Sequence, residues 1–167
     1  MKEGGVAVIW MKVKGVAMDH QMNPVVLLTD AEERMALPIW VGPAEAQAIA
    51  LQLQGVTPPR PMTHDLLRNI LRSMDVSVKR VVVTDVRDQT YYAEIHLVRD
   101  GRENAIDSRP SDAIALALRV DAPIFVDEKV AAHAIPLKKE EDQEQEMEEW
   151  RRFIENVKPS DFKRSLH

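Results

Sequence analysis

Two short polar stretches hold most of the residues in this sequence that can do chemistry. Thr63-His64-Asp65 stands where a proline-rich connector gives way to an apolar periodic run. Asp107-Ser108-Arg109-Pro110-Ser111-Asp112 stands where a strand-like run gives way to an alanine-rich one. Helix starts expose N–H groups and carry positive partial charge, so both places suit an anion such as phosphate. Arg109 adds a donor fork that matches phosphate bidentately. Asp65, Asp107 and Asp112 are oxygen ligands of the kind Mg2+ or Mn2+ takes. Such an ion would activate water and offset phosphate charge. A histidine changes charge near neutral pH, so His64 suits a general acid or base. Together, His64, Asp65, Asp107 and Asp112 as catalytic groups, with Arg109 and Ser111 on the substrate, would make a phosphodiester-cleaving site.

Each of these residues also has a plainer reading. Thr63 fits an N-cap and Asp65 a first-turn acid. Glu45 occupies, after Pro43, the position that Asp112 occupies after Pro110, and reads as an acid stabilising a helix start. Arg109 with Asp107 or Asp112 can be a structural ion pair. Arg60, Arg68, Arg72 and Lys79-Arg80 form the one local concentration of basic residues. They read first as a solvated face. The alternative is a nucleic-acid path beside His64, with Arg60 and Arg68 touching substrate. The sequence holds no G-x-S-x-G, P-loop, G-x-G-x-x-G or H-E-x-x-H pattern, and its five histidines include no i,i+4 pair. No organic cofactor is expected, and no preformed zinc site.

The elements around these stretches repeat. Val6–Met18, Val25–Thr29 and Met35–Val41 read as strands. Pro43 then opens an alanine-rich helix that Gly55 stops. Pro58-Pro59-Arg60-Pro61 breaks the chain before a helix with Leu66, Leu67, Ile70, Leu71 and Met74 on one face. Val76–Val86, Tyr91–Val98 and Glu103–Asp107 read as three more strands, with turns at Arg87–Thr90 and Asp100-Gly101. Pro110 opens another alanine-rich helix, followed by a short strand at Ala122–Val126 and a short helix from Asp127 to near His133. Two tandem strand-strand-strand-helix units are therefore expected, about 6–75 and 76–136, within one domain at 1–136. The fold class is α+β: a mixed, largely antiparallel sheet or barrel with packed helices. Residues 137–167 read as a charged helical tail, with Met147, Trp150, Ile154 and Val157 on the side that docks on its own domain or on a partner.

Composition narrows the function. With 167 residues and 45% hydrophobic content the chain can bury a real core, and its few aromatics leave that core to aliphatic side chains. No apolar run reaches the length of a membrane span. Met1-Lys2-Glu3-Gly4-Gly5 lacks the apolar stretch of a secretory leader, and the absence of cysteine excludes disulfides and thiolate chemistry. A cytoplasmic protein without a membrane partner is expected. The net charge is −5, with 15 Lys+Arg against 18 Asp+Glu through Leu137 and 7 against 9 beyond it. Contact with nucleic acid must therefore come from a local cluster or from metal ions.

Four stretches resemble the bifunctional nuclease family: Val13-Lys14-Gly15-Val16; Leu37-Pro38-Ile39-Trp40-Val41-Gly42-Pro43-Ala44-Glu45-Ala46; Pro61-Met62-Thr63-His64-Asp65-Leu66-Leu67; and Asp107 through Ala117. The resemblance runs from about Val6 to about His133. It implies a nuclease acting on RNA, DNA or both. The family motifs cover His64, Asp65, Asp107, Arg109, Ser111 and Asp112. The competing expectation is a non-catalytic regulatory or anion-binding module, favoured by the acidic balance and a duplicated plan suited to a homo-oligomer, in the first instance a dimer.

Overall fold

The computed structural model of the chain describes residues 2, 3, 5–137 and 143–156. Its strands are β1 (Lys2–Glu3), β2 (Val6–Met18), β3 (Pro24–Asp30), β4 (Met35–Trp40), β5 (Ser77–Arg87), β6 (Thr90–Arg99), β7 (Arg102–Ser108), β8 (Ile124–Asp127) and β9 (Ile135–Pro136). Its helices are α1 (Pro43–Leu53), α2 (Thr63–Ser73), α3 (Pro110–Val120), α4 (Glu128–Ala131) and α5 (Gln143–Asn156). The fold is α+β. The strands lie in the order β7-β6-β5-β8-β2-β3-β4-β9, with β1 paired to β2. The two ends of this order do not meet, so the sheet is open rather than a barrel.

The two units form two wings of this sheet. Each runs outward as a meander, β2-β3-β4 on one side and β5-β6-β7 on the other. The turns that build the second wing are legible in the chain. Asp88 and Gln89 both have positive φ, as do Asp100 and Gly101, the pattern of two-residue hairpin loops. Strand β8 sits between the wings, antiparallel to β2 and parallel to β5. The parallel pair needs a crossover, which α3 supplies.

Strand burial shows which faces are covered. In β6, Tyr91, Ala93 and Ile95 are buried while Tyr92, Glu94 and His96 are half exposed, as for a strand with one covered face. In β3 every residue is buried. Val26 and Leu28 join the main core with Ile49 of α1 and Ile114 and Leu116 of α3. Val25 and Leu27 point the other way, into a second cluster with Ala36, Trp40 and Trp150 of α5. The last turns of α5 thus pack on the first wing, with Ile154 buried and Met147 exposed. Val157 and the stretch 138–142 lie outside the described residues. No helix among the described residues is long and apolar enough to cross a membrane.

One buried carboxylate pins the first wing. Asp19 accepts from the backbone N–H groups of Gln21 and Asn23 at 2.9 and 2.8 Å, and from Trp40 Nε1 at 3.1 Å. Burial opposes its ionisation, but these donors outweigh burial and hold the carboxyl below its usual range. Asp19→Ala removes the acceptor shared by the Gln21, Asn23 and Trp40 donors and is expected to destabilise by about 2–3 kcal/mol in urea unfolding. Because the folded value is the lowered one, this contribution is complete above about pH 4 and fades as pH falls further.

Candidate functional site

Helices α1 and α3 begin beside each other, and the start of α2 faces them. Pro43 and Pro110 each open a helix, a position where the missing N–H is no loss. The N-cap of α2 is Met62, so Thr63, expected as the cap, is instead the first helical residue. The Asp65 side chain, at the third helical position, accepts from the cap's N–H at 3.0 Å, the reciprocal half of a capping box.

A continuous hydrogen-bonded chain links the three helix starts. His64 Nε2 lies 2.9 Å from Asp112 Oδ1. The other Asp112 oxygen accepts from Arg109 Nε at 2.9 Å and forms an ion pair with Arg109 Nη2 at 2.8 Å. Arg109 Nη2 also donates to Glu45 Oε1 at 2.7 Å. The His64 side chain is 9% exposed and that of Glu45 16%, against 31% for Asp112 and 42% for Arg109. The Asp112 carboxyl is held below its usual range, first by the His64 hydrogen bond and then by Arg109, with burial opposing. Burial works against the Arg109 charge, yet the bonds to Asp112 and Glu45 hold its proton more tightly than usual.

This chain closes one end of a cleft of 610 Å³ between α2, α3, β6 and β7. Leu67, Leu71, Ile95, Leu97, Ile106 and Leu116 form its aliphatic wall; Thr63, His64, Ser108, Arg109 and Asp112 form its polar end. That combination, an apolar hollow with a few convergent polar groups, suits a small ligand or one unit of a polymer.

The other expected site residues are dispersed. Asp107 borders the cleft on exposed β7, but the register sets it opposite Glu94, on the sheet face that bears His96. Asp65 is adjacent to His64 on a helix, and the 100° turn per residue sends it elsewhere. It binds Arg119 Nε at 2.8 Å and lines a separate hollow of 260 Å³ with Arg68 and the prolines of the connector. Ser111 is buried and does not line the cleft, and exposed Arg60 lines neither hollow. The three aspartates expected as metal ligands therefore do not converge, and no group of three or more His, Asp or Glu among the described residues is placed to hold an ion. Glu45 and Arg119 are the polar residues that sequence reasoning left out of the site region. The matching position of Glu45 and Asp112 in the two units was the signal that could have raised Glu45.

Comparison with known proteins gives the family. A model of the bifunctional nuclease domain matches residues 26–137, which include Glu45, His64, Arg109 and Asp112. The chain belongs to the bifunctional nuclease domain family. An uncharacterized protein from Mycobacterium tuberculosis is 41% identical over 162 residues, covering 92% of this chain and 97% of the relative. Bifunctional nuclease 1 of Oryza sativa subsp. indica is 28% identical over 112 residues, covering 65% of this chain and 34% of the rice protein. Bifunctional nuclease 2 of Arabidopsis thaliana is 29% identical over 112 residues, with the same coverage.

Proposed function

We propose that the protein is a nuclease that hydrolyses phosphodiester bonds of RNA, DNA or both at the polar end of the cleft. The observation that carries this reading is the 2.9 Å contact between His64 Nε2 and Asp112 Oδ1. An ionised carboxylate only accepts, so Nε2 carries the proton and Nδ1 of the neutral ring keeps its lone pair. Nδ1 takes a proton from a water as that oxygen bonds to phosphorus. The bond from phosphorus to the leaving sugar oxygen breaks, and the proton passes from the imidazolium to that oxygen. Asp112 stabilises the imidazolium between the two transfers. Arg109 Nη1, which has no hydrogen-bond partner among the described residues, is the donor for a phosphoryl oxygen.

Mg2+ or Mn2+ remains part of the proposal only as an ion that arrives with the nucleic acid. Mg2+ usually keeps several waters and binds through one or two carboxylates plus substrate phosphates. Of the three aspartates, Asp65 and Asp112 are already engaged by Arg119, Arg109 and His64, which leaves Asp107. The work is placed in the cytoplasm on the cysteine-free composition. A dimer is proposed on the exposed Leu66 and Ile70 of α2 and Met74 just after it, with light scattering as its check.

One observation favours a second reading, a non-catalytic module. Arg109 faces two carboxylates, so the cluster carries a net negative charge until His64 is protonated, which is unwelcoming to phosphate. Labelled RNA and single-stranded DNA, incubated with highly purified protein, separate the two. His64→Ala is expected to lose cleavage by a factor of about 100 or more. Equal cleavage by the variant points to a contaminant and removes the nuclease reading; a titration with EDTA reads the metal's share.

A further inference from the structure

We infer that Glu45, contributed by the first unit, is a positioning residue that fixes the Arg109 guanidinium of the second unit for the phosphate. The inference deepens the nuclease reading and rests on it for its catalytic consequence.

Asp112 grips Arg109 from three residues away, through Nε and Nη2. Both residues belong to the start of α3, so this grip alone leaves the guanidinium tied to its own helix turn. Glu45 reaches the same Nη2 at 2.7 Å from the start of α1. Its side chain is 16% exposed, whereas that of Arg109 is 42% exposed. A sheltered carboxylate on a separate helix therefore anchors a cation that stands at the mouth of the cleft. Two anchors on different helices fix the plane of the fork, and Nη1 is left without a partner among the described residues. A donor held in place before the substrate arrives does not have to be ordered during the reaction.

A helix-start acid would explain Glu45 without Arg109, through the dipole alone. The geometry argues against that being its whole role. In α1, Glu45 is the acidic residue of the first turn, and it spends its bond on a cation from a segment 64 residues away. The network also joins the two units at the place where each begins its helix. This is how an internally repeated fold can build a single site from two unequal copies.

The test compares wild type, Glu45→Gln and Glu45→Asp. It reads the Arg109 side chain by nitrogen-15 NMR, with steady-state cleavage alongside. Loss of the second anchor is expected to speed Arg109 Cζ–Nη2 rotation and proton exchange several-fold in Glu45→Gln, with partial recovery in Glu45→Asp. It is expected to lower kcat by about ten-fold while KM stays within about three-fold, because the donor's largest contribution is to charge developing in the transition state. In an Arg109→Lys background, Glu45→Gln is expected to change kcat by less than about two-fold, since coupled residues are not additive. A wild-type Arg109 signal in folded Glu45→Gln overturns the inference. So does the same ten-fold loss in the Arg109→Lys background. A wild-type protein that cuts nothing removes the nuclease reading, and the NMR arm then still decides whether Glu45 holds Arg109.

Discussion

Asp112→Asn is expected to lower cleavage by a factor on the order of 10²–10⁴ while destabilising the fold by only about 1 kcal/mol. The carboxylate has two jobs that an amide does not share. It accepts from His64 Nε2, which sets the tautomer that leaves Nδ1 free to take a proton. It also matches the Arg109 charge through its second oxygen. An asparagine can donate to Nε2 and so favour the other tautomer, with the proton on the reacting nitrogen. Its oxygen still accepts from Arg109 Nε, but the counter-charge to Arg109 is left to Glu45 alone. Single-turnover cleavage measures the loss, and a melting curve shows that the fold survives. The pH dependence separates the roles further. The Asp112 carboxyl is held below its usual range, chiefly by the His64 hydrogen bond, so it stays ionised at pH values above about 4. Any stabilisation from a lowered carboxyl is complete above its unfolded value and lost as pH falls through its folded one. The melting temperatures of wild type and Asp112→Asn should therefore converge below about pH 4. A loss of wild-type cleavage at higher pH has to come from another group.

The strand and helix order was legible because periodicity and turn chemistry are local properties. The alternation in β6 and the paired positive-φ residues at its two hairpins depend on neighbours in the chain. The place of β8 did not follow in the same way. Its partners are Val8–Met11 and Val81–Val83, far off in sequence, and a four-residue apolar strand carries no mark of which edges it will join. Likewise, the outer face of β3 is covered from distant segments, by Ile135 and Leu137 and by Trp150 of α5, that nothing within β3 announces. The site divides along the same line. Residue type and position at a helix start brought forward His64, Arg109 and Asp112. Their contacts span 48 residues in one case and three in the other, and only the packing of α2 on α3 creates the first. Asp107 failed to join them because a strand alternates its faces, and Asp65 because a helix turns.

Breaking the Asp65–Arg119 pair is expected to be the most damaging single polar change in the described fold, at about 3–5 kcal/mol. Arg119 lies among three helices. Its Nε donates to Asp65 of α2 at 2.8 Å, its Nη1 to Ala115 O of α3 at 2.9 Å and its Nη2 to Ala48 O of α1 at 3.0 Å. The side chains of Arg119 and Asp65 are 3% and 11% exposed. Asp65→Asn leaves a buried guanidinium without its counter-charge. Arg119→Met leaves a buried carboxylate without its counter-charge. For a domain of this size the loss corresponds to a fall in melting temperature of roughly 10 °C. The double variant Asp65→Leu with Arg119→Met should recover much of it, because removing both charges relieves the burial that either single change leaves uncompensated. Acid should act like the single variant. Burial raises the Asp65 carboxyl, but the Met62 N–H and Arg119 outweigh burial and lower it. Its stabilisation is therefore intact above about pH 4 and lost as pH falls below that. Below its melting temperature, Asp65→Asn should retain cleavage within about three-fold of wild type, because Asp65 touches neither His64 nor the cleft wall. A large loss of cleavage in a folded Asp65→Asn protein would return Asp65 to the chemistry. Its adjacency to His64 would then have been the better guide than the direction its side chain takes.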